Sequence, residues 1–224
     1  MAAPIAHVFL AVQMLAGPFS GLFNEKEFIL GTSFPDIRYL KVVERSETHF
    51  SHVTLEDIFA EPNSFRAGVL FHSFVDEQRE AYIVSHGFYD KLPQFTLITQ
   101  SLKFAEDEIL KTQFNSAHYE HYFDDIVAEE MSYNINEYNI RLWHTFLQDY
   151  CSGRYDLKTS FMKFFDLHEP NALFLKRWLF SWIYARKMQR IVSTIVNNKR
   201  MKYLILDCYL HFTDRLQIKK NSFK

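Results

Sequence analysis

His72 and Asp76 stand four positions apart in a run whose apolar residues recur at helical spacing, so both side chains can share one helix face. Phe71, Phe74 and Val75 flank them, and a carboxylate among apolar neighbours needs a strong partner. Three more candidates precede the pair: His7, Asp36 and His49. Imidazole nitrogens and carboxylate oxygens together suit zinc and are acceptable to iron or manganese. No thiolate accompanies them, which points away from a structural zinc finger and toward hydrolytic chemistry at an open coordination position. Two such ions can clamp the attacking and leaving oxygens of a phosphoryl ester. Arg38, two positions after Asp36, can neutralise a substrate phosphate or pair with an acid. Plainer roles stand beside these: an i,i+4 helix pair for His72 and Asp76, a turn acid for Asp36, a hydrogen-bonded core histidine for His7. His52 is an alternative to His49.

The element that must carry the pair is predicted over Ser64–Ser85. Phe65, Val69, His72 and Asp76 recur every three or four residues, Asn63 or Ser64 caps the start, and Gly87 offers a stop. Asp36 lies in Leu30-Gly31-Thr32-Ser33-Phe34-Pro35-Asp36, which reads as a turn-rich segment displaying its carboxylate from a constrained loop. His7 falls in an apolar stretch, Ala2 to Gly17, that fits a buried first helix. It lacks the basic start of a secretory signal, and Gln13, Gly17 and Pro18 interrupt it too soon for a membrane span. An uncleaved export signal is the alternative. Further helices are predicted over 95–112, 116–130 and 135–150, then from Pro170 through Ile195 and from Lys202 to Ile218.

Strand-like alternation is sparse, and neither a repeat nor a low-complexity linker divides the chain. The expectation is therefore an all-α, bundle-like single domain over 1–218 with a polar tail at 219–224. The 23 Phe and 12 Tyr supply a Phe-rich core, with some rings left for a cleft or interface. The 25 basic and 27 acidic residues nearly cancel, so no basic stripe calls for nucleic acid. Arg186, Lys187 and Arg190 lie near one side of a long helix, where peripheral contact with an anionic membrane surface competes with simple solvation. Cys151 and Cys208 form no ligand or redox motif, which leaves the cytosol as the default location.

The order His7, then Phe34-Pro35-Asp36-Ile37, then Thr48-His49-Phe50, then His72-Ser73-Phe74-Val75-Asp76 resembles the zinc-dependent phospholipase C family, and more distantly the helical P1-type nucleases. The resemblance covers about residues 5 to 80. It implies an all-helical fold and a site of one to three zinc ions that hydrolyses phosphate esters, with a phospholipid head group or a small phosphate ester as substrate. By that likeness Asp36, His49, His72 and Asp76 are ligands of one zinc, with Asp36 and Asp76 serving catalysis. Asp76 would bridge to a second ion held by His7. The family's N-terminal tryptophan has no counterpart before His7. For a further ion the family uses a His-x-x-x-Glu step, and His121 with Asp125 reproduces it with the shorter acid, His118 standing beside them. Two other readings are open: a helical interaction protein that keeps a partial metal site, and a histidine–aspartate phosphohydrolase. The adjacent His-Asp dipeptide of the latter class does not occur.

Overall fold

Gly31 and Gly68 set a backbone-to-backbone contact around which the first half of the chain is arranged. In the computed structural model, which describes residues 3–92, 94, 97–168 and 174–216, a Cβ added at Gly31 would fall 1.9 Å from the Phe65 carbonyl oxygen. One added at Gly68 would fall 2.2 Å from the Phe28 carbonyl oxygen. The helices that meet there are α2 (Glu25–Ser33) and α5 (Ser64–Ser85). The bounds of α5 agree with the expectation, and Asn63 caps it by accepting the Arg66 backbone N–H. Asn24 does the same for α2 through the N–H of Glu27.

The turn expected over Leu30–Asp36 is corrected. Leu30 to Ser33 complete α2, and Phe34–Leu40 forms a 3-10 helix. Gly31 is there for close helix packing and not for a reversal, while Pro35 opens the 3-10 helix where its missing N–H costs nothing.

Helix α1 (Pro4–Ala16) is buried as expected and packs on α2 and on α6 (Ile98–Leu110). Two short helices that the pattern did not announce, α3 (Arg45–Thr48) and α4 (Leu55–Ala60), lie between α2 and α5. The continuous helix expected over 116–130 is replaced by a 3-10 helix, Ser116–Asp124, and then α7 (Ala128–Met131). Side-chain bonds hold that stretch to its neighbours: Tyr122 to Glu25, Lys26 to Asp125, and Gln148 to Asp124. After it come α8 (Glu137–Cys151), α9 (Leu157–His168) and α10 (Phe174–Asn197).

The last predicted helix is split. Asn198 caps α11 (Lys199–Leu210), and α12 (Phe212–Arg215) follows after His211. Ile218, the 219–224 tail, Pro170 and residues 95–96 lie outside the described residues. There is no strand among the described residues, and the architecture is an all-α, multi-helix bundle. No described helix is long and apolar enough to cross a membrane.

Most of the described phenylalanines are core, while the exposed Phe50 borders a cleft. Phe19 meets Phe23, Phe28, Phe59 and Phe71 edge to face, with ring centroids 4.8 to 6.0 Å apart. Beside them the core holds charges. Arg79 of α5 makes two hydrogen bonds, 2.6 and 3.1 Å, to Glu106 of α6, and the Tyr209 hydroxyl donates to the same carboxylate at 2.7 Å. All three residues are buried.

Candidate metal centre

The two C-terminal carbonyls of α2, which the helix itself leaves without partners, explain how one ligand is aimed. Thr32 O accepts from His72 Nδ1 at 2.8 Å, and Ser33 O accepts from Trp143 Nε1 at 3.1 Å. His72 is thereby fixed as the tautomer whose Nε2 carries the lone pair. His49 is set the same way. The Thr48 hydroxyl has one proton, and with Pro35 O at 3.3 Å to receive it, the hydroxyl accepts from His49 Nδ1 at 3.0 Å. The Nε2 lone pair of His49 then points inward as well.

Helix α1 brings the third ring. Its first turn contains no acid and no side-chain cap of its own. Asp107 of α6 supplies one, accepting from Ile5 N at 3.2 Å and Ala6 N at 2.9 Å. One residue further on, His7 stacks on His72 with centroids 4.0 Å apart and planes 11° off parallel. Neither nitrogen of His7 makes a hydrogen bond of good geometry, although Nε2 lies 3.2 Å from Asp76 Oδ1.

Asp76 faces all three rings. Its Oδ1 is turned to His7, while Oδ2 lies 3.5 Å from His72 Nε2 and 3.9 Å from His49 Nε2. Asp36 Oδ1 lies 3.9 Å from the same His49 nitrogen. Ligands about 2.1 Å from a tetrahedral ion stand roughly 3.4 Å from one another, so these separations need little relaxation to accept one. Two groups have ligand atoms that all lie within 4.8 Å of one another: His7, His72 and Asp76; and Asp36, His49 and His72. His72 belongs to both. With Nδ1 committed to Thr32, its single free lone pair can serve one ion and not two.

The electrostatics favour a cation. Burial pushes the His72 imidazole down to about 3 and that of His49 down to about 4, so both are neutral at pH 7 and able to ligate. Burial works against ionisation of Asp76 and Asp36. In the acid range where the carboxyls titrate, attraction to the His72 imidazolium, the first opposing cause in each case, outweighs it and holds both below their usual range. The Nε2 atoms of His7, His49 and His72 are buried without a hydrogen bond. Each such orphan costs about 1–3 kcal/mol, and three converging on two carboxylates describe a place for a metal ion.

The remaining sequence candidates fall elsewhere. His118, His121 and Asp125 are exposed, outside both groups, and Asp125 pairs with Lys26 at 2.7 Å. His52 is exposed beside Glu77, whereas His49 is inside. The Arg38 guanidinium lies 3.5 Å from Asp36 Oδ1 and 4.3 Å above the Tyr39 ring. It does not line the open cleft of about 570 Å³ that His49 and Asp76 border; Arg45 does.

One charge near the centre was missed by sequence reasoning. Lys103 of α6 is buried and lines, with Asp36, Tyr39 and Trp143, a small cavity of about 30 Å³. Burial lowers its pKa, against the pull of Asp36 and then Asp76. A lysine between apolar positions of an amphipathic helix reads as solvent-facing, and no signal in the sequence marked it out.

No family model, curated protein or solved structure matches the chain. What is established is a helical protein with two overlapping buried His/Asp groups that could coordinate a metal ion.

Proposed function

We propose that this protein is a metal-dependent phosphoester hydrolase of the phospholipase C-like type, with zinc as its ion. The observation that carries the reading is the convergence of three buried imidazole Nε2 atoms without hydrogen bonds on Asp36 and Asp76, next to an open cleft. A bound divalent cation supplies Lewis acidity that polarises a phosphoryl oxygen and makes water a better nucleophile.

The chain's own residues do the rest. His49, His72 and Asp36 would hold the ion, with His7 and Asp76 beside it and the two Asp76 oxygens turned to His7 and to His72. A phosphoester entering the cleft meets Asp76 and His49 on one wall and Arg45 on its rim. A carboxylate oxygen of Asp36 or Asp76 left uncommitted can accept the proton of an attacking water. Thr32, Thr48 and Pro35 keep the rings oriented, so little reorganisation is needed when charge develops.

Elemental analysis of protein expressed with supplemented zinc tests the reading. About one equivalent or more of bound metal per chain is expected, reduced below half by Asp76→Ala in a variant that still shows the wild-type helical circular-dichroism spectrum. Loaded protein should cleave members of a phosphodiester and phosphomonoester panel. Metal-free protein after supplementation, or unchanged turnover in Asp76→Ala, would overturn it.

A further inference from the structure

From Pro170 to Leu206 the chain has eight Lys and Arg residues and not one Asp or Glu. All 27 acids lie outside this stretch, so a nearly neutral molecule is polarised, with one basic region and an acidic remainder. From Phe174 onward the stretch lies in α10 and α11, which pack on each other. Six of their described apolar side chains, Ala185, Met188, Val192, Ile195, Met201 and Ile205, are buried in the core. Five of the described bases point the other way. Arg186, Lys187, Arg190, Lys199 and Arg200 are exposed. No described carboxylate lies within ion-pair distance of Arg186, Arg190, Lys199 or Arg200. Among the acids nearest in sequence, Asp207 accepts from the Tyr82 hydroxyl at 2.7 Å.

Exposed apolar side chains are interleaved with these bases. Ile183 is 47% exposed, Tyr203 68% and Leu210 39%, in a protein with few large apolar groups at its surface. Arginine and lysine attract any polyanion. Aliphatic Ile183 and Leu210 gain nothing from a nucleic-acid backbone, but they can enter the boundary between lipid head groups and acyl chains, where tyrosine also settles. That combination favours a bilayer over RNA or DNA.

We propose that the outer face of α10 and α11 is a peripheral docking surface for membranes rich in anionic phospholipid. The face is tied to the helix that borders the cleft. Tyr82 of α5 bonds Asp207 of α11 and carries the Arg215 guanidinium over its ring at 4.6 Å, while Ala81 and Val84 of the same α5 turn line the cleft. The proposal does not depend on the metal centre, because it rests on the surface charge and exposed apolar side chains of α10 and α11.

The full chain is sedimented with vesicles of phosphatidylcholine alone and of phosphatidylcholine with about 40 mol% phosphatidylserine, at low and physiological salt. Binding only to the anionic vesicles, weakening with salt, is expected. A basic residue near such a surface contributes about fivefold to partitioning, so Arg186→Gln/Arg190→Gln/Arg200→Gln together should lower it about 100-fold. The bound-metal content of this triple variant should match wild type. Ile183→Ser/Tyr203→Ser should weaken binding with the salt dependence preserved. Equal partitioning onto both vesicles, no partitioning, or a triple variant that binds like wild type would overturn the proposal. So would salt-sensitive binding to a labelled RNA or DNA oligonucleotide by protein that ignores the vesicles. Vesicle binding by a metal-free protein would sustain this surface while removing the hydrolase reading.

Discussion

Gly31→Ala puts the link between fold and centre to the test. The added methyl would sit 1.9 Å from the Phe65 carbonyl oxygen, where an ordinary carbon–oxygen contact is about 3.4 Å. The α2–α5 interface must therefore open by about 1.5 Å near that point, because the obstacle is backbone and no side-chain rotation relieves it. Overpacking of this kind costs about 3 kcal/mol at the upper end of its usual range. Replacing a helical glycine by alanine returns about 1 kcal/mol. A net loss of about 2 kcal/mol is expected, read from urea unfolding. The same displacement moves the end of α2, with Thr32 O and the following Asp36, relative to His72. Since ligand positions tolerate only about 0.5 Å, zinc affinity measured by calorimetry should fall at least about tenfold, more than the stability loss alone explains. A variant as stable as wild type, or more stable by the amount an unobstructed helical glycine would give, would show that the helices do not touch at Gly31. Lost stability with unchanged zinc affinity would show that the contact does not position the ligands.

Four further outcomes follow from the geometry. Zinc at about a thousand times its dissociation constant should stabilise the fold by about 4 kcal/mol, or raise Tm by roughly 10 °C; His72→Ala should abolish the shift in a thermal scan. His118→Ala and His121→Ala should leave metal content unchanged by elemental analysis, and a loss would place those rings at the centre. Lys103→Met removes a buried positive charge beside Asp36 and Asp76, so zinc should bind about tenfold tighter, and inorganic phosphate about tenfold weaker to the loaded protein, by calorimetry. Burial raises the Asp107 carboxyl to about 7, so between about pH 4 and 7 the folded state holds a proton that the unfolded state has released. This group's stabilisation is therefore complete below pH 4 and lost as the pH rises through 7. The depressed His49 and His72 act oppositely, favouring the fold above about pH 6.5 and less as the pH falls toward 4. Asp107→Asn, compared with wild type in urea at pH 5 and 8, should selectively remove the loss on the alkaline side.

What the sequence disclosed was local. Asn63, the apolar recurrence from Phe65 and the His72–Asp76 step all act within one helix, so the limits of α5 and its ligand face could be read directly. The order of His7, Asp36 and His49 suggested their company, and the structure does gather those side chains. Gly31 misled because a glycine that lets two helices touch looks the same in sequence as one that turns the chain. Lys103, Glu106 and Asp107 were illegible for a related reason. Charged residues on a helix are normally its wet side, and only partners some 25 to 100 positions away, Arg79 and the first turn of α1, make burial of Glu106 and Asp107 tolerable. The segment 116–124 kept its helical tendency but was drawn into a tighter coil by bonds to α2 and α8.

The cap that Asp107 places on α1 has a consequence for how the protein comes into being. His7 is synthesised well before the carboxylate that secures its helix, which lies a hundred positions later. Asp36, His49, His72 and Asp76 are all made in between. Contacts of such sequence separation form late, after the entropy of closing the intervening chain has been overcome. A nascent chain that ends before α6 therefore carries every proposed ligand and lacks the centre. On the proposed reading metal capture would belong to the end of folding, and a cell that degraded slow folders would also be removing chains that had never been able to load.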